Sequence, residues 1–220
     1  MGGYHAFSTK DMVNWTDRGE VFHSSDVPWA WEKGGFLWAP GAAFKIGKYY
    51  LYYPIKNKEG KWRLGVAVGK TPIGPFKDAG KPLEGFFDIE PHVFIDDDGR
   101  AYIYNNIARV AKLEPNMIEL PEAPRNIDYS SKKNMTNDTL KFLEGSYMHK
   151  KDGVYYYSYT NWKNKPYQGY YATGKTPMDH LSGNKQWGQC HMVLKITILS
   201  SILMDNGTIS TICLPLKMIC

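Results

Sequence analysis

Two short motifs place a carboxylate at the head of a strand-like run. They are Glu90-Pro91, before HVFIDDDGRAYIYN, and Glu144-Gly145, before SYMHKKDGVYYYSY. A third run of the same kind, GAAFKIGKYYLYY, is headed by Trp38-Ala39-Pro40. If these runs are equivalent strands of a closing repeat, their heads converge on one pocket. Two acids there could move protons, and a Trp face could stack on a sugar ring, which together suit carbohydrate chemistry. The competing reading is that Glu90 and Glu144 cap turns at a solvated rim.

The elements that must position these heads are legible as a repeat. The segments 40–53, 91–105 and 145–159 each run from an apolar start through a polar turn with Gly into an aromatic strand, at spacings of 51 and 54 residues. Their turns are expected at Gly47-Lys48, Asp98-Gly99 and Asp152-Gly153, since Gly accepts positive φ at little cost. A second piece closes each unit: AFSTKDMVNW (6–15), GVAVGKTPIGPF (65–76) and GYYATGKTPMDHL (169–181). A hairpin, a further strand and a turn, repeated near 50 residues, is the pattern of β-propeller blades. The phase puts a partial blade at about 1–37, then blades at about 38–86, 87–130 and 140–187. The fold class predicted is an all-β propeller, with about three and a half blades.

Composition agrees with many short strands. The 220 residues include 7 Trp, 16 Tyr and 9 Phe, with 21 Gly and 13 Pro. The net charge of +5 comes without a basic tract, so a nucleic-acid partner is not expected. No apolar run is long enough to predict a transmembrane helix, and MGGYHAFSTK lacks the apolar core of a signal peptide, so no membrane partner is expected and the compartment stays open. Every aromatic lies in residues 1–188, the expected propeller domain. Residues 189–220 hold none, and fifteen of these 32 are Ile, Leu, Val or Met. This tail is either an element with its own composition or a stretch not selected to fold with the rest, as after a frameshift. Its three cysteines, Cys190, Cys213 and Cys220, fit neither a disulfide framework nor a zinc site.

Two motifs invite other chemistry and lose to plainer readings. GYYATGKT (169–176) has the letters of a phosphate-binding loop, but Tyr170 and Tyr171 read as strand, and GVAVGKT keeps a different glycine spacing. Asp96, Asp97 and Asp98 resemble the start of a calcium loop, but Ile107 stands where the closing Glu belongs, so a turn is predicted.

Taken together in this order, FSTKDMVNWTDRG, FLWAPGAAFKIGKYYLYY, GKTPIGPFKD, FDIEPHVFIDDDGRAYIYNN and LEGSYMHKKDGVYYYSYTNW resemble glycoside hydrolase family 43. These are five-bladed propeller enzymes of the arabinofuranosidase and xylosidase type. The resemblance implies cleavage of arabinose- or xylose-containing glycans with inversion, and a plant-cell-wall-type oligosaccharide or polysaccharide as partner. It makes Glu144 the general acid. It makes Glu90 the group that tunes the acid, where the family has the shorter Asp, with Asp88 two residues earlier. It makes Trp38 a sugar-contacting wall. No cofactor is expected. The family leaves room for a central calcium ion, but the region around His191 does not match its ligand segment.

The family's general base is an Asp on the opening strand of the first blade, and no residue here matches it. Inversion needs such a base on the face opposite the acid, the two carboxyls roughly 6.5–9.5 Å apart. The chain is therefore expected to lack the base, and a glycan-binding propeller without turnover stands beside the hydrolase as the alternative. A propeller scaffold for protein partners is a third reading, for which no distinct surface shows in the sequence.

Overall fold

The computed structural model describes residues 2–31, 36–127, 144–161, 168–178, 182–189, 203–205 and 208–213. The chain forms two compact units, residues 1–91 with 196–220 and residues 92–195. The described residues are strands and turns, apart from one short 3-10 turn at Ser24–Asp26. No helix among them is long and apolar enough to cross a membrane.

The first unit holds two sheets. In one, β1 (Gly3–Thr9) and β2 (Thr16–His23) are antiparallel neighbours. Asp11 organises the turn between them: its carboxylate accepts from the Val13 and Asn14 backbone N–H groups and from Asn14 Nδ2. Those bonds favour the charged form and pull its pKa far below the usual carboxylate range. The second sheet is β3 (Gly41–Lys45), β4 (Lys48–Lys56), β5 (Trp62–Gly69) and β6 (Lys77–Pro82), paired in chain order. In β4, seven consecutive residues from Tyr49 to Ile55 are buried, as expected of a strand covered on both faces.

The second unit repeats the plan. β7 (His92–Ile95), β8 (Ala101–Tyr104), β9 (Arg109–Leu113) and β10 (Arg125–Asn126) form one sheet. β11 (Glu144–Lys151), β12 (Val154–Asn161), β13 (Gln168–Gly174) and β14 (Ser182–Gln189) form the other. GYYATGKT lies along β13 and the turn after it, and no helix follows.

Four four-stranded sheets stand where the sequence predicts about three and a half. The difference is β15 (Leu203–Asp205) and β16 (Thr208–Cys213), from the aromatic-free segment. They form a hairpin, and β16 pairs with β1 from His5↔Cys213 to Thr9↔Ile209. The hairpin thus occupies the two places ahead of β1. A bare β1 edge would leave its N–H and C=O groups unmatched, and the hairpin satisfies them.

The hairpin turns follow φ. Lys45 pairs with Lys48, so the two-residue loop is Ile46-Gly47, one position earlier than expected, with φ of 49° and 69°. Asp152-Gly153 is a two-residue loop of the same kind, with φ of 51° and 76°. At Asp98-Gly99 the loop is longer: the Gly99 N–H donates to the Asp96 carbonyl, and Gly99 alone of the loop has positive φ, at 79°.

Each unit has a tyrosine-rich core. In the first, Tyr4, Phe22, Leu51, Tyr53 and Ile55 pack together; in the second, Tyr104, Val110, Tyr157 and Tyr159 do. Gly65 lies under the ring of Tyr53, whose hydroxyl donates to Asp78, so a methyl group at Gly65 would overlap a ring that is fixed at both ends. Gly65→Ala is expected to destabilise the protein by about 1–3 kcal/mol in a denaturant titration, the range of overpacking substitutions.

Candidate active site

Trp38 lies in the segment that enters β3. The residue is 45% exposed, and its ring centroid lies 4.8 Å from that of Trp62 at the start of β5, tilted by 49°. Its backbone is anchored from below: the Tyr4 hydroxyl donates to the Trp38 carbonyl at 2.5 Å. The side chain is therefore presented to solvent from a fixed main chain.

Glu90 lies in the segment that enters β7. It has φ of 57°, and Asp88 has φ of 84°. Two non-glycine residues in the left-handed region within three positions cost roughly 1–2 kcal/mol each. Such strain gathers where side chains are held for a task. The segment is braced against the Trp38 segment, because a Cβ at Gly41 would overlap the carbonyl oxygen of Pro91. Gly41 lets the two main chains touch, so the Trp38-Ala39-Pro40-Gly41 and Glu90-Pro91 segments are packed on each other. Sequence reading passed over Gly41 because absent atoms leave no chemical signature.

Glu144 is the first residue of β11, opposite Thr160, and its side chain lies outside the described residues. Directly after it the regular pleat is broken. The register shifts between Glu144 and Tyr147, so one extra residue is inserted, and Gly145 has φ of 75°. A bulge with a left-handed glycine re-aims the residues beside it. A methyl group at Gly145 would meet only Thr160, at 3.8 Å, so conformation rather than space selects glycine. The Glu-Gly pair thus has a backbone reason at this strand head.

The strands carrying these heads are tied in the second unit by His92. It comes directly after Pro91, is buried in β7, and its Nε2–H donates to the Met148 carbonyl of β11 at 3.1 Å. Its ring lies 4.4 Å from that of Tyr147. Burial pushes its pKa down to about 4, with the nearby His149 adding to the effect and the Met148 carbonyl opposing it. Further along the same strand pair, Asp96 accepts from the Tyr155 hydroxyl at 2.5 Å and from Lys150 at 3.0 Å. Asp98 accepts from the Arg100 N–H and pairs with its guanidinium. The acidic run therefore serves its turn and the neighbouring sheet. Among the described residues no three His, Cys, Asp or Glu side chains are grouped so as to hold a metal ion, and His191 lies outside them.

The family pattern for Glycosyl hydrolases family 43 matches residues 1–189. The chain belongs to this family. It is 37% identical over 205 residues to xylosidase/arabinosidase 43A of Humicola insolens, a match that covers 73% of this chain and 61% of that protein. It is 36% identical over 212 residues to a xylosidase/arabinosidase of Bacteroides ovatus, covering 80% and 64%. The chain thus spans less than two thirds of the length of these relatives. Among solved structures, a GH43 β-xylosidase/α-arabinofuranosidase from a compost metagenome, in complex with xylotriose, superposes with a TM-score of 0.76 at 32% identity, over 84% of this chain and 66% of that one. The GH43_1 enzyme of Xanthomonas citri complexed with xylotriose gives 0.76 at 30%, over 84% and 65%. The fold class is that of these enzymes, an all-β propeller of four-stranded blades.

Two consequences of the geometry can be measured. Unfolded, the His92 imidazole takes up its proton near pH 6.5; folded, only near pH 4. The stability gained from holding it neutral is complete above 6.5 and shrinks as pH falls from there toward 4, by about 3 kcal/mol in all. In urea titrations between pH 7 and 4, His92→Gln is expected to flatten this loss, and an unchanged slope would mean that the buried ring is not its source. Gly41→Ala is expected to displace the Glu90 segment and lower the thermal unfolding midpoint, because the added methyl group would overlap the Pro91 carbonyl oxygen.

Proposed function

We propose that this protein is an inverting glycoside hydrolase acting on arabinose- or xylose-containing glycans. Glu144 protonates the leaving glycosidic oxygen. Glu90 tunes the acid, the role that the family resemblance gives it. Trp38 forms the wall on which a sugar ring stacks. The observation that supports this reading best is the left-handed glycine bulge at the head of β11, which gives the Glu-Gly motif a backbone reason at that position. Xylotriose in the two related enzymes supports the substrate class.

The second reading is a glycan-binding propeller that holds the same ligands without turnover; a hydrolase without a working general base would be slower by about 10²–10⁴-fold.

Hydrolysis of xylobiose and of 4-nitrophenyl xyloside and arabinofuranoside separates the two. If Glu144 is the acid, Glu144→Gln lowers xylobiose hydrolysis by about 10²–10⁴. The nitrophenyl glycosides are expected to lose much less, because nitrophenolate leaves without a proton. Equal losses on both substrate types would remove Glu144 from the acid role. Xylotriose binding with no hydrolysis of any substrate would establish the second reading.

A further inference from the structure

The end of the second sheet that carries Trp38 bears a second feature. Lys56, the last residue of β4, pairs with Trp62, the first of β5, and its ammonium lies 5.4 Å from the Trp62 ring centroid. Trp62 is the indole on which Trp38 rests, so Trp38, Trp62 and Lys56 form one row. The turn from Lys56 to Arg63 holds Lys56, Lys58, Lys61 and Arg63 against the single acid Glu59. None of these four cations is ion-paired among the described residues.

The contrast lies in the second unit. Lys150 also lies over an aromatic ring, 4.8 Å from the centre of Tyr155, and there two protein carboxylates complete the arrangement, Asp96 at 3.0 Å and Asp97 at 2.8 Å. Around Lys56 the described residues supply the ring and the cation but no ion-paired carboxylate. A cation held against an aromatic face, partly stripped of water and lacking a counter-charge, is a site for an anion brought by a ligand.

We propose that Lys56 binds the carboxylate of a uronic-acid substituent on a xylo-oligosaccharide whose backbone stacks on Trp38 and Trp62. This rests on the hydrolase reading and narrows its substrate class to acidic, branched xylans. The row fixes the chemistry: the sugar-stacking surface and the cation are adjoining parts of one surface, so the anion and the sugar belong to one molecule.

Calorimetric titration with xylotriose and with glucuronosyl-substituted xylotriose tests it. At low ionic strength the acidic ligand is expected to bind about tenfold more tightly, the scale of one charge-assisted contact. The advantage should fade in high salt. Lys56→Gln should bring the acidic ligand down to the xylotriose value and leave xylotriose itself unchanged, which also shows that the variant is folded; Lys56→Arg should keep the preference. Equal affinity for the two ligands, or a preference that survives Lys56→Gln, overturns the site while leaving the hydrolase reading intact. Failure to bind either ligand overturns both.

Discussion

A buried tyrosine brings a hydroxyl into a place where only the protein can satisfy it. This chain is built on that constraint, because its strands are packed with tyrosine where other sheets use valine and isoleucine. The solution is repeated: the hydroxyl of a strand residue reaches past the adjacent strand and is accepted by a different segment of the chain. Tyr4 reaches the Trp38 carbonyl, Tyr53 reaches Asp78, Tyr104 reaches the Pro177 carbonyl at 2.8 Å and Tyr155 reaches Asp96. A neutral hydrogen bond contributes about 1 kcal/mol, but leaving a buried hydroxyl unmatched costs about 1–3, so the geometry is enforced more by the penalty than by the gain. Loops that would otherwise be loose become parts of the core.

The candidate residues likewise sit outside the regular parts of strands. A pleated strand points its side chains alternately to two faces and none beyond its end. Glu90 precedes its strand in a left-handed conformation, Glu144 heads its strand beside a left-handed bulge, and Trp38 is carried by a main chain pinned through Tyr4. At each head the chain departs from β geometry, and something rigid holds the departure: the Gly41–Pro91 contact, the His92–Met148 bond or the Tyr4 hydroxyl.

Much of the fold was legible because the repeat is written in turn chemistry. Asp152-Gly153 and Asp98-Gly99 mark hairpins through the φ they need, and the strand reading of GYYATGKT follows from its tyrosines. The turn at Ile46-Gly47 was misplaced by one residue, since isoleucine rarely takes positive φ and only pairing of the flanking lysines compels it here. The pairing of β16 with β1 was not legible: it depends on backbone groups alone, which composition does not report. Glu90, Glu144 and Trp38 could be chosen as candidates by type and phase. His92, Gly41 and Trp62 could not, because their importance lies in what they touch rather than in what they are.

Pairing β16 with β1 also bears on how the protein is made. His5 takes as its partner Cys213, so β1 emerges from the ribosome first among the described strands and is paired on that side last. Contacts so distant in sequence are slow to form, since a long loop must close before any bond rewards it. Until β16 arrives, β1 offers a free edge to any other extended chain nearby. Synthesis rate and chaperone access during that interval, rather than the strength of the finished sheet, then govern how much of the protein reaches its folded state.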